Sequence, residues 1–260
     1  MTEYPDELLS RTEDGIATLT LNRPTARNAL SFSLMEALTQ ALQRFGQAKA
    51  VRVIVIAGNG PAFCAGHDLR ELRAMPERDR LDKLFACCTD LMLTITRCPK
   101  PVIAQVHGVA TAAGCQLVAG CDLAVAESGA RFATPGVNIG LFCSTPAVAL
   151  ARAVGRKPAM EMLLTGDLID AEEARRIGLV NRVVPASDLA AAVTRLAQQI
   201  ASKSSPVLAL GKEAFYRQIE LGLEDAYRYA SGVMVRNLLK ADAAEGIDAF
   251  LEKRKPEWRG

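Results

Sequence analysis

Two segments constrain this chain more than any others: Phe63–Leu69 (FCAGHDL) and His107–Ala126 (HGVATAAGCQLVAGCDLAVA). Each sets small residues where the pattern changes from an apolar strand to a helix. A backbone that turns sharply there leaves N–H groups with no intrahelical partner. Two such turns brought together would form a two-donor site, the arrangement that stabilises a developing oxyanion. The first segment also fits an ordinary strand-to-helix turn with Asp68 as N-cap. The second also fits tight helix–sheet packing through small residues.

The surrounding pattern predicts an α/β chain. Leu8–Ser10 and Ile16–Leu21 flank Glu13-Asp14-Gly15, which reads as a β-hairpin. Ser33-x-x-Glu36 reads as a capping box, and Leu34, Leu38, Ala41, Leu42 and Phe45 continue at helical spacing. Val51–Ala57 reads as a strand ended by Gly58-Asn59-Gly60-Pro61. A short helical pattern over Leu69–Met75 and a helix over Arg78–Arg97 follow, the latter stopped by Cys98-Pro99-Lys100-Pro101. Val102–Val106 and Leu123–Ala126 are further apolar strands. Nearly continuous apolar strands alternating with helices imply sheets buried on both faces.

From about Ser144 the pattern turns helical, over Thr145–Val154, Lys157–Leu164, Ala171–Ile177, Leu189–Ser202, Pro206–Ile219 and Leu223–Lys240. Val180–Val184 is the one strand-like interruption. The predicted organisation is an α/β core over residues 1–195 and a helical region over 196–260. The last helices have few internal partners and are expected to dock on a neighbouring subunit.

The net charge is +2, with no block of like charges, which argues against a nucleic-acid or membrane-surface protein. Seven cysteines without a CxxC pair read as reduced thiols. The opening MTEYPDELLSRTEDG is acidic and lacks an apolar h-region. Together these predict a cytoplasmic protein. With two histidines and no HExxH, no metal site is expected. No GxSxG elbow, Walker A loop or GxGxxG follows a strand. The His67 ring is expected to cover a pocket mouth and His107 to be a hydrogen-bonded core residue. Cys64, Cys115 and Cys143 are expected to be small hydrophobic filler.

Taken together, these motifs resemble the crotonase superfamily, the enoyl-CoA hydratase/isomerase group. Leu21-Asn22-Arg23-Pro24 with Asn28-Ala29-Leu30 looks like the family's loop beside bound coenzyme A. FCAGHDL and PVIAQVHG…AGCQL…CDLAVA look like its two oxyanion-hole segments. Ala153-Val154-Gly155-Arg156, Leu164-Thr165-Gly166, Gly178-Leu179-Val180, Val183-Val184-Pro185 and the closing Phe250-Leu251-Glu252-Lys253-Arg254-x-Pro256 follow its later pattern in order. The resemblance implies a crotonase (ClpP-like) α/β fold of repeated ββα units with a C-terminal helical oligomerisation region, assembled as a homotrimer or hexamer. It implies an acyl-CoA substrate in fatty-acid metabolism, with coenzyme A present as part of the substrate and no permanently bound cofactor. The thioester carbonyl would be held by the backbone N–H groups of His67 and Ala113. Ala26, Arg27, Ala65, Asp68 and Leu69 would line the coenzyme path, and Phe250 and Lys253 would reach a neighbour's adenine site.

The departures bear on the reaction. The family's hydratases deliver water with two glutamates, and the matching positions here are Gln116 and Gly136. An amide cannot take a proton near neutral pH, and glycine has no side chain. A positioned acid or base is worth roughly 10²–10⁴-fold, whereas one oxyanion donor is worth about 10²–10³. The remaining polar candidates are Gln116, Asn138, Ser144 and the His67 ring. The variant pattern AAGCQL with ATPGVNIGLFCSTP resembles one subgroup, the enoyl-CoA hydratase domain-containing proteins. Three readings follow: an enoyl-CoA hydratase/isomerase with a reassigned acid/base, an inactive acyl-CoA-binding module, or another crotonase reaction such as thioester hydrolysis or decarboxylation. Gln116→Glu combined with Gly136→Glu is expected to raise crotonyl-CoA hydration if the oxyanion hole is intact.

Overall fold

The computed structural model describes residues 6–74 and 76–259. It opens with β1 (Leu8–Glu13) and β2 (Ile16–Leu21), an antiparallel hairpin. Asp14 and Gly15 both have positive φ, 49° and 76°, which a two-residue hairpin loop of matching twist requires. Next come α1 (Phe32–Gln47), β3 (Val53–Gly58), α2 (Leu69–Ala74) and α3 (Arg78–Arg97). Met75, the last residue of the helical pattern expected over Leu69–Met75, lies outside the described residues. The centre of the chain forms β4 (Val102–Val106), β5 (Val109–Thr111), α4 (Ala113–Gly120), β6 (Leu123–Glu127) and β7 (Arg131–Ala133). It continues with α5 (Ser144–Ala153), α6 (Arg156–Thr165), β8 (Ile169–Asp170), α7 (Ala171–Ile177) and β9 (Arg182–Val184). Four helices close the chain: α8 (Leu189–Ala201), α9 (Ser205–Gln218), α10 (Leu223–Leu238) and α11 (Ala241–Leu251).

The strands form a six-stranded sheet, β1-β2-β3-β4-β6-β9, parallel apart from the first pair, and a three-stranded sheet, β5-β7-β8. Residues alternate across the large sheet. Ile54 and Ile56 of β3 face the main core with Leu34, Leu38 and Leu42 of α1 and Leu84 and Leu91 of α3. Val53 and Val55 face the other side, where Leu189, Val193 and Leu196 of α8 cover them. A period of two with both faces covered explains why the strands read as unbroken apolar runs. The division expected at residues 195/196 falls inside α8, which is continuous there and lies on the sheet.

Three local expectations change. α1 starts two residues early, with Ser31 as N-cap accepting the Leu34 N–H, so Ser33 and Glu36 form no capping box. A remote carboxylate does part of that work: Glu71 of α2 accepts the Phe32 N–H at 2.9 Å. The helix expected over Leu223–Lys240 ends at Leu238, and a separate α11 begins at Ala241. Strands β5, β7 and β8 are two or three residues long, too short for a periodicity to show.

One buried ion pair ties α9 to the core. Lys212 Nζ reaches Asp122 Oδ2 at 2.6 Å and also donates to the carbonyls of Ile95 and Lys100. Asp122 further accepts the Val102 N–H and the Tyr216 hydroxyl, and the Lys212 side chain is only 8% exposed. Removing one partner of such a pair strands the other charge. Lys212→Met is therefore expected to lower stability by about 3 kcal/mol, measured by chemical denaturation. A loss of less than about 1 kcal/mol would show the pair to be no anchor.

Candidate functional site

The loop after β2 is locked by side chains. Arg27 and Asn28 both take left-handed φ, 50° and 53°. Asn28 is fully buried. Its Oδ1 accepts the Arg23 N–H at 2.8 Å, and its Nδ2 donates to the carbonyls of Asn59 and Ala62. Asparagine tolerates this backbone and satisfies three backbone groups at once. The Arg23 guanidinium radiates to Glu7 Oε1 (2.9 Å), the Ala29 carbonyl (2.6 Å) and Asp68 Oδ2 (2.9 Å). Asp68 Oδ1 meanwhile accepts the N–H groups of Arg70 and Glu71, so Asp68 is the N-cap of α2. Partial burial disfavours the charge on Asp68. The Arg23 guanidinium and the two backbone donors outweigh it and hold the carboxyl below its ordinary range.

Against this loop lies a cleft of about 560 Å³. Ala26, Arg27, Ala65, His67, Asp68 and Leu69 line it together with Arg23, Thr25, Ala29 and Arg70. The residues singled out along the coenzyme path therefore share one cavity edged by three guanidinium-bearing residues. Phe250 and Lys253 do not belong to it within this chain. Phe250 sits near the end of α11, 82% exposed, and Lys253 follows with a left-handed φ of 57°.

The FCAGHDL segment runs as a narrow ribbon between Leu30 and β5. Leu30 donates to the Gly66 carbonyl and accepts the Asp68 N–H. A parallel bridge of this kind uses the groups on either side of His67 and turns the His67 N–H to the opposite edge. That N–H has no acceptor among the described residues. Sequence reasoning placed it at a helix start. The bridge, and not a helix end, is what frees it.

On the other edge, Cys64 pairs with Val109 and Thr111. The two small-residue turns touch backbone to backbone. Gly66 has φ +99°, and a Cβ there would lie 2.9 Å from Ala112 Cβ and 3.3 Å from the Ala113 nitrogen. A Cβ on Gly114 would overlap the Cys64 carbonyl oxygen. Ala112 sits at φ 49°, ψ −117°, a strained position for an L-residue that costs about 1–3 kcal/mol. Its N–H is held by the Ala133 carbonyl at 2.9 Å. This kink starts α4 at Ala113, whose N–H also has no acceptor among the described residues.

Four buried side-chain atoms without a hydrogen-bond partner belong to residues of these two turns and of the strand end that fixes them. They are Gln116 Oε1, Thr134 Oγ1 and both ring nitrogens of His67. Gln116 is 5% exposed and its N–H is held by the Ala112 carbonyl. As a helix side chain it leans toward the N-terminus, over the Ala112–Ala113 turn. Thr134 directly follows Ala133, which fixes Ala112. Each such atom costs about 1–3 kcal/mol unless something occupies the site. Thr134 escaped sequence reasoning because a lone threonine before Pro135 carries no pattern. Burial lowers the His67 pKa, and the Leu30 backbone offsets this only in part, so the ring is neutral at pH 7.

Gly136 is closed to any side chain. A Cβ there would lie 2.7 Å from the Leu141 carbonyl oxygen and 2.9 Å from Cys143 Sγ, and the Leu141 N–H donates to the Gly136 carbonyl. The expected gain from Gln116→Glu with Gly136→Glu is thus overturned: the second carboxylate has no room. Asn138 is exposed beside Gly166, and Ser144 is exposed at the start of α5 with its hydroxyl on the Phe142 carbonyl. Cys64 and Cys115 are buried thiols pushed up to about 12 by desolvation, and burial raises Cys143 as well. They stay protonated and serve as packing. His107 Nε2 meets the Gly60 carbonyl at 2.8 Å, half-buried.

The sequence profile of the family described as Enoyl-CoA hydratase/isomerase matches residues 11–260. The chain belongs to that family. Among its relatives is the rat "Enoyl-CoA hydratase domain-containing protein 3, mitochondrial", 50% identical over 249 residues, 96% of this chain and 83% of the relative. A crystal structure of enoyl-CoA hydratase from Mycobacterium smegmatis is 55% identical with a TM-score of 0.95, covering 98% of this chain and 99% of that one. The structure of human enoyl Coenzyme A hydratase domain-containing protein 3 gives 49% and 0.94, covering 97% and 100%. These likenesses establish the crotonase fold and family. They overturn the expected cytoplasmic setting, since the rat, mouse and human relatives are all named mitochondrial. Unpaired thiols argue only against an oxidising compartment and do not distinguish among reducing ones.

Two substitutions test the packing of this family member's site. Gly114→Ala is expected to cost about 2–3 kcal/mol because backbone blocks the new methyl. Gly136→Glu is expected to lower Tm by about 5–10 °C in a thermal melt. An unchanged Tm for both would mean the turns can relax apart.

Proposed function

We propose that the protein binds an acyl-CoA thioester and stabilises its enolate through the N–H groups of His67 and Ala113, with little hydratase activity. The observation that carries this reading is the pair of unpartnered N–H groups on two turns locked together at Gly66 and Gly114. Fixed donors of this kind need no reorganisation as charge develops on the thioester oxygen. Arg27 and Arg70, on the rim of the adjoining cleft, suit the phosphates of the coenzyme, which enters as part of the substrate. Ala26, Ala65, Asp68 and Leu69 line the path between.

Hydration by two carboxylates is disfavoured because Gln116 is an amide and Gly136 is closed. That same closure favours, as the second reading, an acyl-CoA-binding module without turnover. The exposed apolar side chains of α9–α11, among them Phe215, Leu223, Tyr227, Leu239 and Phe250, support a homotrimer or hexamer built through the C-terminal helices. In such an assembly Phe250 and Lys253 would serve a neighbour's cleft.

Calorimetry with butyryl-CoA and free coenzyme A tests the reading. Saturable binding is expected for both, tighter for the thioester, and weakened for both by Arg27→Ala. Crotonyl-CoA hydration is expected to increase little over the uncatalysed rate. Equal affinity for thioester and free coenzyme would overturn the role of the two N–H groups.

A further inference from the structure

With both family carboxylates absent, few groups around the two turns can exchange a proton near neutral pH. Gln116 offers an amide and Thr134 a hydroxyl. The Cys64 and Cys115 thiols are held protonated by burial. Asp68 is committed to Arg23 and to two backbone donors, and Glu71 accepts the Phe32 N–H.

The His67 imidazole differs from all of these. A buried histidine ordinarily commits at least one ring nitrogen to a protein partner. Here both nitrogens are buried and neither makes a hydrogen bond of good geometry, the Leu30 backbone being the one polar group that acts on the ring. The ring is set edge-on against Phe85 of α3, centroids 5.4 Å apart at 78°. The residue lines the cleft, and its backbone N–H is the one assigned above to the thioester oxygen.

Resting on the acyl-CoA reading, we infer that the His67 side chain is the proton-transfer group of this site, acting at the carbon next to the thioester carbonyl. The step is a proton abstraction. The free ring nitrogen takes the proton from that carbon, forming a new N–H bond. The electron pair of the broken C–H bond shifts to make the carbon–carbon double bond of the enolate. The carbonyl π pair moves onto oxygen, where the His67 and Ala113 N–H groups hold the charge. Return of a proton from the imidazolium regenerates the thioester, so no oxidant, reductant or water is consumed. A ring kept neutral by burial has the lone pair this step needs. One residue thus supplies an oxyanion donor from its backbone and a base from its side chain.

The test is deuterium incorporation at the acyl carbon of butyryl-CoA in D₂O, followed by proton NMR. The wild-type protein is expected to catalyse it, and His67→Gln to slow it about 10²–10⁴-fold with butyryl-CoA affinity little changed by calorimetry. In His67→Ala, added imidazole is expected to restore part of the exchange, which a merely structural role would not produce. Wild-type exchange rates in His67→Gln would overturn the inference. So would a wild-type protein that binds butyryl-CoA without exchange, a result that leaves the acyl-CoA reading standing. Failure of the wild-type protein to bind butyryl-CoA would remove that reading and this inference with it.

Discussion

The close approach of Gly114 to the Cys64 carbonyl is the contact on which the rest of the site depends. No side chain separates the two backbones there. Cys64 already spends its N–H and carbonyl on β5, so the ribbon that follows is fixed in register and depth. Gly66 must then pass over Ala112, and Ala112 must bend into a strained conformation to let it pass. Strain of that size persists only where surrounding structure over-determines it. Here the Ala133 carbonyl and the first turn of α4 do so. The His67 and Ala113 N–H groups are left without acceptors by this packing.

Much of this was legible in the sequence. The strands β3, β4 and β6 announce themselves as continuous apolar runs because both faces of the sheet are covered. FCAGHDL and ATAAGC announce the turns because only small residues permit the approach. Ala26, Arg27, Ala65, His67, Asp68 and Leu69 meet in one cleft, as their shared resemblance to a single family implies. What stayed hidden depends on contacts between distant segments. The Ser31 cap draws on Glu71, the His67 N–H is freed by Leu30, and Gly136 is closed by a loop that folds back from Leu141. None of these leaves a local pattern. Asn138 and Ser144 looked close to the site along the chain and lie on the surface in space.

Position 136 is closed by the fold itself. Where glycine stands at position 136, the chain folds onto itself, and the Leu141 carbonyl takes up the volume a side chain would fill. The first position is different. Gln116 keeps its place on α4 and leaves a buried oxygen unsatisfied, as does Thr134 nearby. Backbone closes position 136, whereas position 116 keeps a buried polar group.

The Asp122–Lys212 pair has a reach beyond stability. Asp122 lies just beyond Cys121, the C-cap of α4, and Lys212 belongs to α9, whose Phe215 is exposed. α4 is a rod of eight residues, about 12 Å long, with the strained Ala112 turn at its other end. The ion pair thus fixes α9 close to the end of α4 opposite the turn that carries the Ala113 N–H.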